Sequence, residues 1–183
     1  VFKSRDSVGV RGIRLVGDDE LIAMSILRHT DFDSDLRERY LRWSNARRRL
    51  EGDNEGNGGP LPNPPAEANE MALAEQFVLS ITENGYGKRT SAFEYRVTGR
   101  GGQGIINIEA SDRNGPVVAS APVEEDHHIM LVTDTGRLIR TPVHDIRIAG
   151  RNTQGVTLFD VEPNERVVSV AWLSEQGVTK TST

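Results

Sequence analysis

Short apolar runs alternate with turn residues at intervals of about ten along most of the chain, a pattern typical of all-β sandwiches, barrels and propellers. In its clearest stretch, two such runs flank Asn84-Gly85, a pair that predicts a tight hairpin turn because both residues tolerate positive φ. Thr135-Gly136 separates two further runs in the same way. The predicted strands are 77–82, 86–92, 105–108 and 117–121 in the first stretch and 129–133, 137–143, 156–159 and 167–172 in the second.

The chain also repeats itself with a period of 51 residues. Nine of the 23 positions from 82 to 104 carry the same residue as the position 51 later, where unrelated sequences would share about one or two. Four strands in a repeat of this length indicate a propeller-type array in which each small sheet is one blade. The identical residues are Thr82, Gly85, Arg89, Thr90, Arg96, Gly99, Arg100, Gln103 and Gly104.

The repeat divides the chain into segments. Residues 1–27 are predicted to be the back half of a blade, because residues 9–13 align with residues 101–105. Two complete blades are predicted over 71–127, the first full repeat, and 128–175, the second full repeat, followed by a tail over 176–183. Because the first copy lacks its front half, we expect the chain to be a fragment of a larger array.

Residues 28–70 break this periodicity and predict an insertion between blades. A helix is expected over about 34–50, with Ser34 as its cap. It is followed by a disordered linker over about 52–65, where Gly, Asn, Pro and acids cannot bury enough apolar surface to order the chain. The apolar face of the helix would carry Leu36, Tyr40, Trp43 and Leu50.

The repeated glycines are assigned to structural turns, where they serve positive φ or a bulge at the rim of a blade. Residues 99–104 also match the GxGxxG dinucleotide fingerprint. A nucleotide site is not expected, because 105–108 predict a strand where that fingerprint requires a helix. The turn glycines are Gly85, Gly99, Gly104, Gly136, Gly150 and Gly155.

Charge is sorted within each repeat. The whole chain has 22 Lys and Arg against 27 Asp and Glu, a net charge of -5, which argues against a uniformly basic nucleic-acid binder. However, 85–104 and 136–155 each carry four basic residues and one acid, whereas 156–172 carries one basic residue and three acids. Because rotation places equivalent residues of the blades on one ring, we predict a positive belt suited to sequence-independent contacts with a phosphate backbone.

Some of these arginines have a structural alternative. Arg96 and Arg147 are equally suited to pairing with acids of neighbouring strands, whereas Arg100 and Arg151 lie beside glycines in a turn, which favours a phosphate contact. The arginine run 47–49 of the insertion is either a solvated helix face or an extra contact with a phosphate or a partner.

Several other kinds of function are not expected. The chain has no Cys, which excludes disulfides and thiolate metal sites. No apolar run approaches the roughly 18 residues of a membrane span, so a cytoplasmic location is expected by default. The histidines show neither metal-ligand spacing nor a nucleophile arrangement, and no catalytic set is identified. The histidines are His29, His127, His128 and His144.

Several motifs resemble the family of C-terminal domains found in the A subunit of DNA gyrase. They are NGYGKRT (84–90), TGRGGQGII (98–106), DRNG (112–115), GRNTQGV (150–156) and GVRGIRL (9–15). The resemblance implies a β-pinwheel, a propeller-like disc of four-stranded blades that exchange strands, with duplex DNA wrapped around its basic perimeter. By position in the repeats, the implied DNA contacts are Lys88, Arg89, Arg100, Arg137, Arg140 and Arg151.

The resemblance also implies a place in a larger enzyme, an ATP-dependent type IIA topoisomerase that introduces negative supercoils. The expected partners are duplex DNA, the B subunit of gyrase and the N-terminal breakage-reunion domain of the same subunit. The expected location is the cytoplasm, in association with the nucleoid. ATP and Mg would be used elsewhere in that complex, and no cofactor is expected here.

Two departures from the family pattern qualify these expectations. The family heptapeptide QRRGGKG is absent, and residues 100–104 are a degenerate counterpart of it. The catalytic tyrosine of the family lies in a domain that this sequence does not include. We therefore expect the chain to bind or guide DNA without cleaving it.

Two alternatives remain at the level of the sequence. One is the equivalent domain in the A subunit of topoisomerase IV, and the other is a propeller-like protein-interaction module whose arginines contact an acidic partner. Duplex binding that weakens steeply with salt distinguishes a DNA-binding domain from the interaction module.

Overall fold

The computed structural model describes residues 5–53 and 60–174. In these ranges two helices precede seven strands, which form two antiparallel sheets. None of the described helices is long and apolar enough to cross a membrane. The elements are α1 (Ser34–Arg48), α2 (Ala68–Ala74), β1 (Phe77–Thr82), β2 (Tyr86–Ser91), β3 (Val117–Val123), β4 (His128–Thr133), β5 (Leu138–Pro142), β6 (Val156–Thr157) and β7 (Val167–Leu173).

The two sheets repeat one another. The first has the strand order β3-β1-β2-β6 and the second the order β5-β4-β7. Each contains a hairpin whose turn holds a glycine with positive φ, Gly85 at 76° and Gly136 at 83°. Strand pairing shifts register at equivalent positions, Ile81/Thr82 in the first sheet and Val132/Thr133 in the second. The repeat is therefore visible in the backbone as well as in the side chains.

One strand is exchanged between the repeats. β6 belongs to the second full repeat but pairs with β2 of the first, where Tyr86 faces Thr157 and Gly87 faces Val156. Gly155, with φ at 81°, precedes β6, and a Cβ atom at this position would lie 2.8 Å from the carbonyl oxygen of Gly87. The exchange implied by the resemblance is thus present, and it depends on a close approach of two backbones.

The predicted third strand of the first full repeat is not formed. Residues 105–108 have no neighbouring strand in the described part of the chain, and β6 ends at Thr157 instead of 159. Within the described residues the second sheet has three strands instead of four, because none lies along the edge of β5 as β6 lies along β2. A segment becomes a strand only where a neighbour completes its backbone hydrogen bonds.

Residues 5–27 carry most of the predicted back half of a blade but form no described strand. Several of their apolar side chains, including Val8, Met24 and Ile26, are at least 86% exposed. The segment is tied to the glycine motif of the first full repeat, because Arg14 N donates to the carbonyl oxygen of Gly102 at 2.8 Å.

A hydrophobic core lies between the two sheets. β1 contributes Leu79 and Ile81 and β4 contributes Ile129 and Leu131, all with no exposed surface. Their alternate spacing places them on one face of each strand. Phe159, just after β6, packs into the same core, so a side chain also anchors the exchanged segment.

The helix predicted over about 34–50 corresponds to α1 and a π-helical continuation over Arg49–Asp53. Its cap is Asp33 instead of Ser34, because Asp33 Oδ1 accepts a hydrogen bond from Leu36 N at 2.8 Å. Leu50, predicted on the apolar face, is 53% exposed because it lies beyond the end of α1. In the predicted linker, residues 60–65 are described without regular secondary structure. Residues 54–59 of that linker and the tail 176–183 lie outside the described residues.

The insertion packs against the first full repeat. Tyr40 and Trp43 of α1 are buried in a second core with Met71 of α2 and with Phe93, which follows β2. The Tyr40 and Phe93 rings meet edge to face with centroids 5.6 Å apart. α2, which the sequence pattern did not predict, therefore helps to fix α1 beside β2.

We expect Gly85→Ala to destabilise the chain more than Gly136→Ala does. Both glycines have positive φ, so both variants lose about 1–2 kcal/mol to backbone strain. Only at Gly85 would a Cβ atom meet another described backbone, 2.1 Å from the carbonyl oxygen of Phe159, whereas no described atom lies within 4 Å at Gly136. Overpacking adds roughly 1–3 kcal/mol to the cost of Gly85→Ala. Urea unfolding measures both variants, and equal losses would show that the contact of this turn with the exchanged segment is unimportant.

Candidate nucleic-acid interface

The six predicted DNA contacts have different environments. Two are buried, two reach the surface and are held by partners, and two are exposed without partners among the described residues. In that order they are Lys88 and Arg89, Arg137 and Arg151, and Arg100 and Arg140.

Lys88 has no exposed surface. Its Nζ donates to the carbonyl oxygens of Gly150 at 2.5 Å and Arg151 at 2.8 Å, and to Thr153 Oγ1 at 3.2 Å. Burial lowers the pKa of Lys88 to about 8, although the charge of Glu94 acts in the opposite direction. The structure therefore places Lys88 in the joint between the repeats and not on the predicted perimeter.

Arg89 is 5% exposed and also binds the second full repeat. Its Nε donates to the carbonyl oxygen of Ile146 at 2.6 Å and its Nη2 to that of His144 at 3.1 Å. Nη1 pairs with Glu125 Oε1 at 2.5 Å. These partners occupy all three nitrogens of the guanidinium group, so Arg89 is a structural residue here and is not placed to meet DNA.

Arg151 connects the two full repeats from the other side. Its Nη1 donates to the carbonyl oxygen of Ile106 at 2.6 Å, and its backbone N–H donates to Glu94 Oε2 at 2.9 Å. The side chain is 23% exposed. The structural alternative therefore describes Arg151 better than the predicted phosphate contact.

Arg137 is oriented by its neighbours but still faces solvent. Its Nη1 lies 2.5 Å from Glu165 Oε2, and its guanidinium group lies 4.8 Å from the centroid of the Phe159 ring. The side chain is 44% exposed. The acid and the ring fix one side of the guanidinium group and leave the other side accessible.

Glu165, the partner of Arg137, is buried in a network of donors. Its carboxylate accepts bonds from the backbone N–H of Glu162 at 2.9 Å, from Thr133 Oγ1 at 2.6 Å and from Thr135 Oγ1 at 2.5 Å. These three bonds, together with Arg137, lower the pKa of Glu165 to about 2. The carboxylate is therefore ionised at neutral pH and holds both the loop and Arg137.

Arg100 and Arg140 are exposed, and neither side chain has a hydrogen bond or ion pair with another described residue. Arg96 and Arg147, for which the sequence left pairing with acids open, are exposed in the same way. The belt is thus narrower than predicted, because three of its eight basic residues serve the joint between the repeats. The five that remain exposed are Arg96, Arg100, Arg137, Arg140 and Arg147.

Arg113, in the DRNG motif, is an exposed basic residue that the repeat pattern did not single out. Its guanidinium group lies 5.0 Å from the centroid of the Tyr86 ring, and its Nε donates to the Tyr86 hydroxyl at 3.3 Å. This hydrogen bond lowers the pKa of Tyr86. The signal that could have found Arg113 is its position between turn residues, where an arginine side chain is usually exposed.

Four of the six predicted turn glycines have positive φ, between 76° and 83°. Gly150 does not; it serves the turn through its carbonyl oxygen, which accepts the bond from Lys88. Gly99 also lacks positive φ, and no described atom lies within 4 Å of a Cβ atom placed there. The four are Gly85, Gly104, Gly136 and Gly155.

Two histidines lie beside acids at the exposed surface, His29 at 3.0 Å from Asp31 and His144 at 3.4 Å from Asp145. Such isolated pairs offer too few ligands for a metal ion. In the part of the chain that the structure describes, no group of three or more acidic or histidine side chains could hold one.

Comparison with protein families gives one match that covers more than half of the chain. A model described as the DNA gyrase C-terminal domain, beta-propeller, matches residues 2–28, 76–124 and 127–171. The interval between the first two matched segments contains most of the insertion. The match therefore follows the repeats.

The curated relatives are A subunits of DNA gyrase. The A subunit of DNA gyrase from Granulibacter bethesdensis is 45% identical over 185 residues, which cover 93% of this chain and 20% of that protein. Its counterpart from Rickettsia bellii is 44% identical over 178 residues, which cover 96% and 20%. The chain thus spans about a fifth of the length of these relatives.

Solved structures agree with this family. A DNA gyrase A C-terminal domain superposes with a TM-score of 0.51 and 28% identity over 54% of this chain and 34% of that chain. The C-terminal domain of a DNA topoisomerase IV gives 0.50 and 24% identity over 54% and 31%, and this likeness concerns the fold alone.

We expect Glu165→Gln to destabilise the chain at neutral pH, with a loss that disappears in acid. A carboxylate whose folded pKa lies below its ordinary value stabilises the fold above that ordinary value, and the stabilisation is lost as pH falls through the folded pKa. For Glu165 this window runs from 4.5 down to about 2. Urea unfolding midpoints measured from pH 7 to pH 2 should therefore converge for the wild type and the variant.

Glu162→Gln is the matched control, because the side chain of Glu162 is exposed and Glu162 binds Glu165 through its backbone alone. Its unfolding midpoint should follow that of the wild type throughout. A constant gap between the wild type and Glu165→Gln down to pH 2 would mean that the ionised carboxylate is not the stabilising form.

Proposed function

Because the chain belongs to the family of DNA gyrase C-terminal β-propeller domains, we propose that it binds duplex DNA and helps to wrap it as part of a DNA gyrase A subunit. The observation that carries the proposal is the set of five exposed arginines on the two full repeats, Arg96, Arg100, Arg137, Arg140 and Arg147. Four of the five have no acidic partner among the described residues, and Arg137 keeps one side accessible. Guanidinium groups without an acidic partner suit phosphate oxygens of any sequence.

Wrapping follows from the arrangement of these groups on repeated units. Each full repeat supplies exposed arginines from its basic stretch, and Arg96 and Arg147 occupy equivalent positions, so a duplex that contacts one repeat meets further exposed arginines on the next. A curved path of this kind needs no base contacts, because charge neutralisation and the bendability of DNA supply the binding free energy. The glycine turns and the strand exchange fix the spacing between the two sets.

In the whole protein this role would support ATP-dependent negative supercoiling by a type IIA topoisomerase. The chain would act with the breakage-reunion domain of its own subunit, which supplies DNA cleavage, and with the B subunit of gyrase, which supplies ATP hydrolysis with Mg. The identity to gyrase A relatives favours this assignment over the topoisomerase IV domain. This chain would contribute DNA binding, through the attraction between its arginines and the phosphate groups.

We expect the double variant Arg100→Ala, Arg140→Ala to bind a labelled duplex of about 40 base pairs more weakly and with less salt dependence than the wild type. Each phosphate contact adds about 0.9 to the slope of log affinity against log salt, so the loss of two contacts should lower the slope by about 1.8. Fluorescence anisotropy at several salt concentrations measures this slope. Circular dichroism should be unchanged, because neither side chain has a partner among the described residues.

Arg166→Ala is the control for the loss of a positive charge outside the proposed DNA-binding surface. Arg166 is 61% exposed, pairs with Glu83 at 3.0 Å and lies in the acidic back half of its repeat, so its loss should leave the slope unchanged. If the wild type fails to bind the duplex at low salt, or if the double variant keeps the full slope, these arginines are not a DNA-binding surface.

A further inference from the structure

A cleft of about 310 Å³ lies between the end of α1 and the second full repeat. Its lining includes Arg48 and Arg49 from the insertion, Arg89 from β2 and Arg147 from the second full repeat. Among the described residues, no acidic and no aromatic side chain lines it. Its volume is at the lower end of the range for ligand pockets, roughly 300–1,000 Å³.

Two of the four arginines are neutralised by acids outside the cleft. Arg48 Nη2 lies 2.7 Å from Glu75 Oε2, and Arg89 Nη1 lies 2.5 Å from Glu125 Oε1. Arg49 and Arg147 are exposed, and neither has an ion pair with a described residue. The cleft therefore has an excess of two positive charges, both carried by groups that solvent reaches.

The position of the insertion side of the cleft is fixed by packing. The Tyr40 hydroxyl donates to Glu75 Oε2 at 2.8 Å, the same oxygen that binds Arg48. The guanidinium groups of Arg48 and Arg89 lie 5.4 Å and 5.8 Å from the centroid of the Phe77 ring. These contacts fix two of the four arginine side chains that line the cleft before any ligand arrives.

The C-terminal end of a helix has a partial negative charge, which disfavours an anion beside it. At α1 this effect is reduced, because helical bonding continues over Arg49–Asp53 and Arg49 Nε donates to the carbonyl oxygen of Asn45 at 3.1 Å. Glu51, the nearest acid along the chain, pairs with Arg47 at 3.3 Å outside the cleft lining. Two guanidinium groups without an acidic partner in the described residues therefore determine the sign of the potential in the cleft.

We infer that this cleft binds a phosphate group of the duplex DNA backbone through Arg49 and Arg147, so that the insertion extends the DNA-binding surface. The inference rests on the proposed function, because Arg147 also belongs to the exposed arginines of the repeats. A nucleoside is not the ligand, since the described lining offers no ring for a base to stack on and no carboxylate for a ribose hydroxyl. A phosphate alone uses what the cleft provides.

The double variant Arg49→Ala, Arg147→Ala tests the inference in the same duplex titration. Its salt slope should be lower than that of the wild type by about 1.8. Arg49→Ala alone loses only a bond within its own helical segment, so it should fold normally and lower the slope by about 0.9. The matched control is Arg39→Ala, Arg166→Ala, which removes one charge from α1 and one from the second full repeat outside the cleft and should keep the full slope.

The outcomes separate this inference from the proposed function. A wild type that does not bind the duplex overturns both. A wild type with a steep slope that Arg49→Ala retains in full overturns the inference and leaves the proposed function intact, because Arg49 belongs to the cleft alone whereas Arg147 belongs to both surfaces. In a second arm, inorganic phosphate at constant ionic strength is tested for an increase in the thermal unfolding midpoint. If it stabilises the wild type but not the double variant, while their DNA slopes agree, the cleft takes free phosphate and the DNA assignment is wrong.

Discussion

The joint between the two full repeats depends on two neighbouring cations of β2 that are buried against backbone carbonyl oxygens. Lys88 binds the carbonyls of Gly150 and Arg151, and Arg89 binds those of Ile146 and His144. These oxygens lie between β5 and β6, outside the described strands, and an unpaired buried carbonyl is costly. A lysine and an arginine supply several donors each, so they hold the loop in the position from which β6 can pair with β2. The lowered pKa of Lys88 reflects the desolvation that this arrangement imposes.

This use of charge explains why equivalent positions of a repeat need not share a role. Arg140 stands in the second full repeat where Arg89 stands in the first, yet it is exposed, because no described strand lies along the edge of β5. At the neighbouring position Lys88 is replaced by Ile139. The residue that holds the equivalent loop also differs between the repeats. Buried Asn114 accepts a hydrogen bond from Ser111 N in the first full repeat, and Glu165 accepts one from Glu162 N in the second. The repeat preserves the backbone geometry, while the neighbours of each position determine which side chains remain exposed.

Local signals in the sequence predicted much of the fold, since strand alternation and glycine turns depend on neighbouring residues alone. These signals predicted the hairpins at Gly85 and Gly136 and the approximate bounds of β1 and β4. The absence of a described strand at 105–108 and the packing of α1 on Phe93 were not, because each depends on which distant segment lies alongside. The candidate DNA-binding site was the part that the sequence predicted least well. Exposure of Lys88 or Arg151 depends on the strand exchange, which residue type and spacing do not encode.

The net charge of the chain is a poor guide to the potential that a ligand meets. Glu75 and Glu165, whose side chains are 4% and 1% exposed, are used inside the structure to hold Arg48 and Arg137. Such acids count fully in the net charge of -5 but contribute little to the electrostatic potential at the surface. There, arginines without partners among the described residues dominate the potential in their immediate surroundings. Because the acids that orient an arginine are buried behind it, the guanidinium group is held in place on the protein side and presented to solvent on the other. An acidic chain can in this way carry a surface that attracts phosphate.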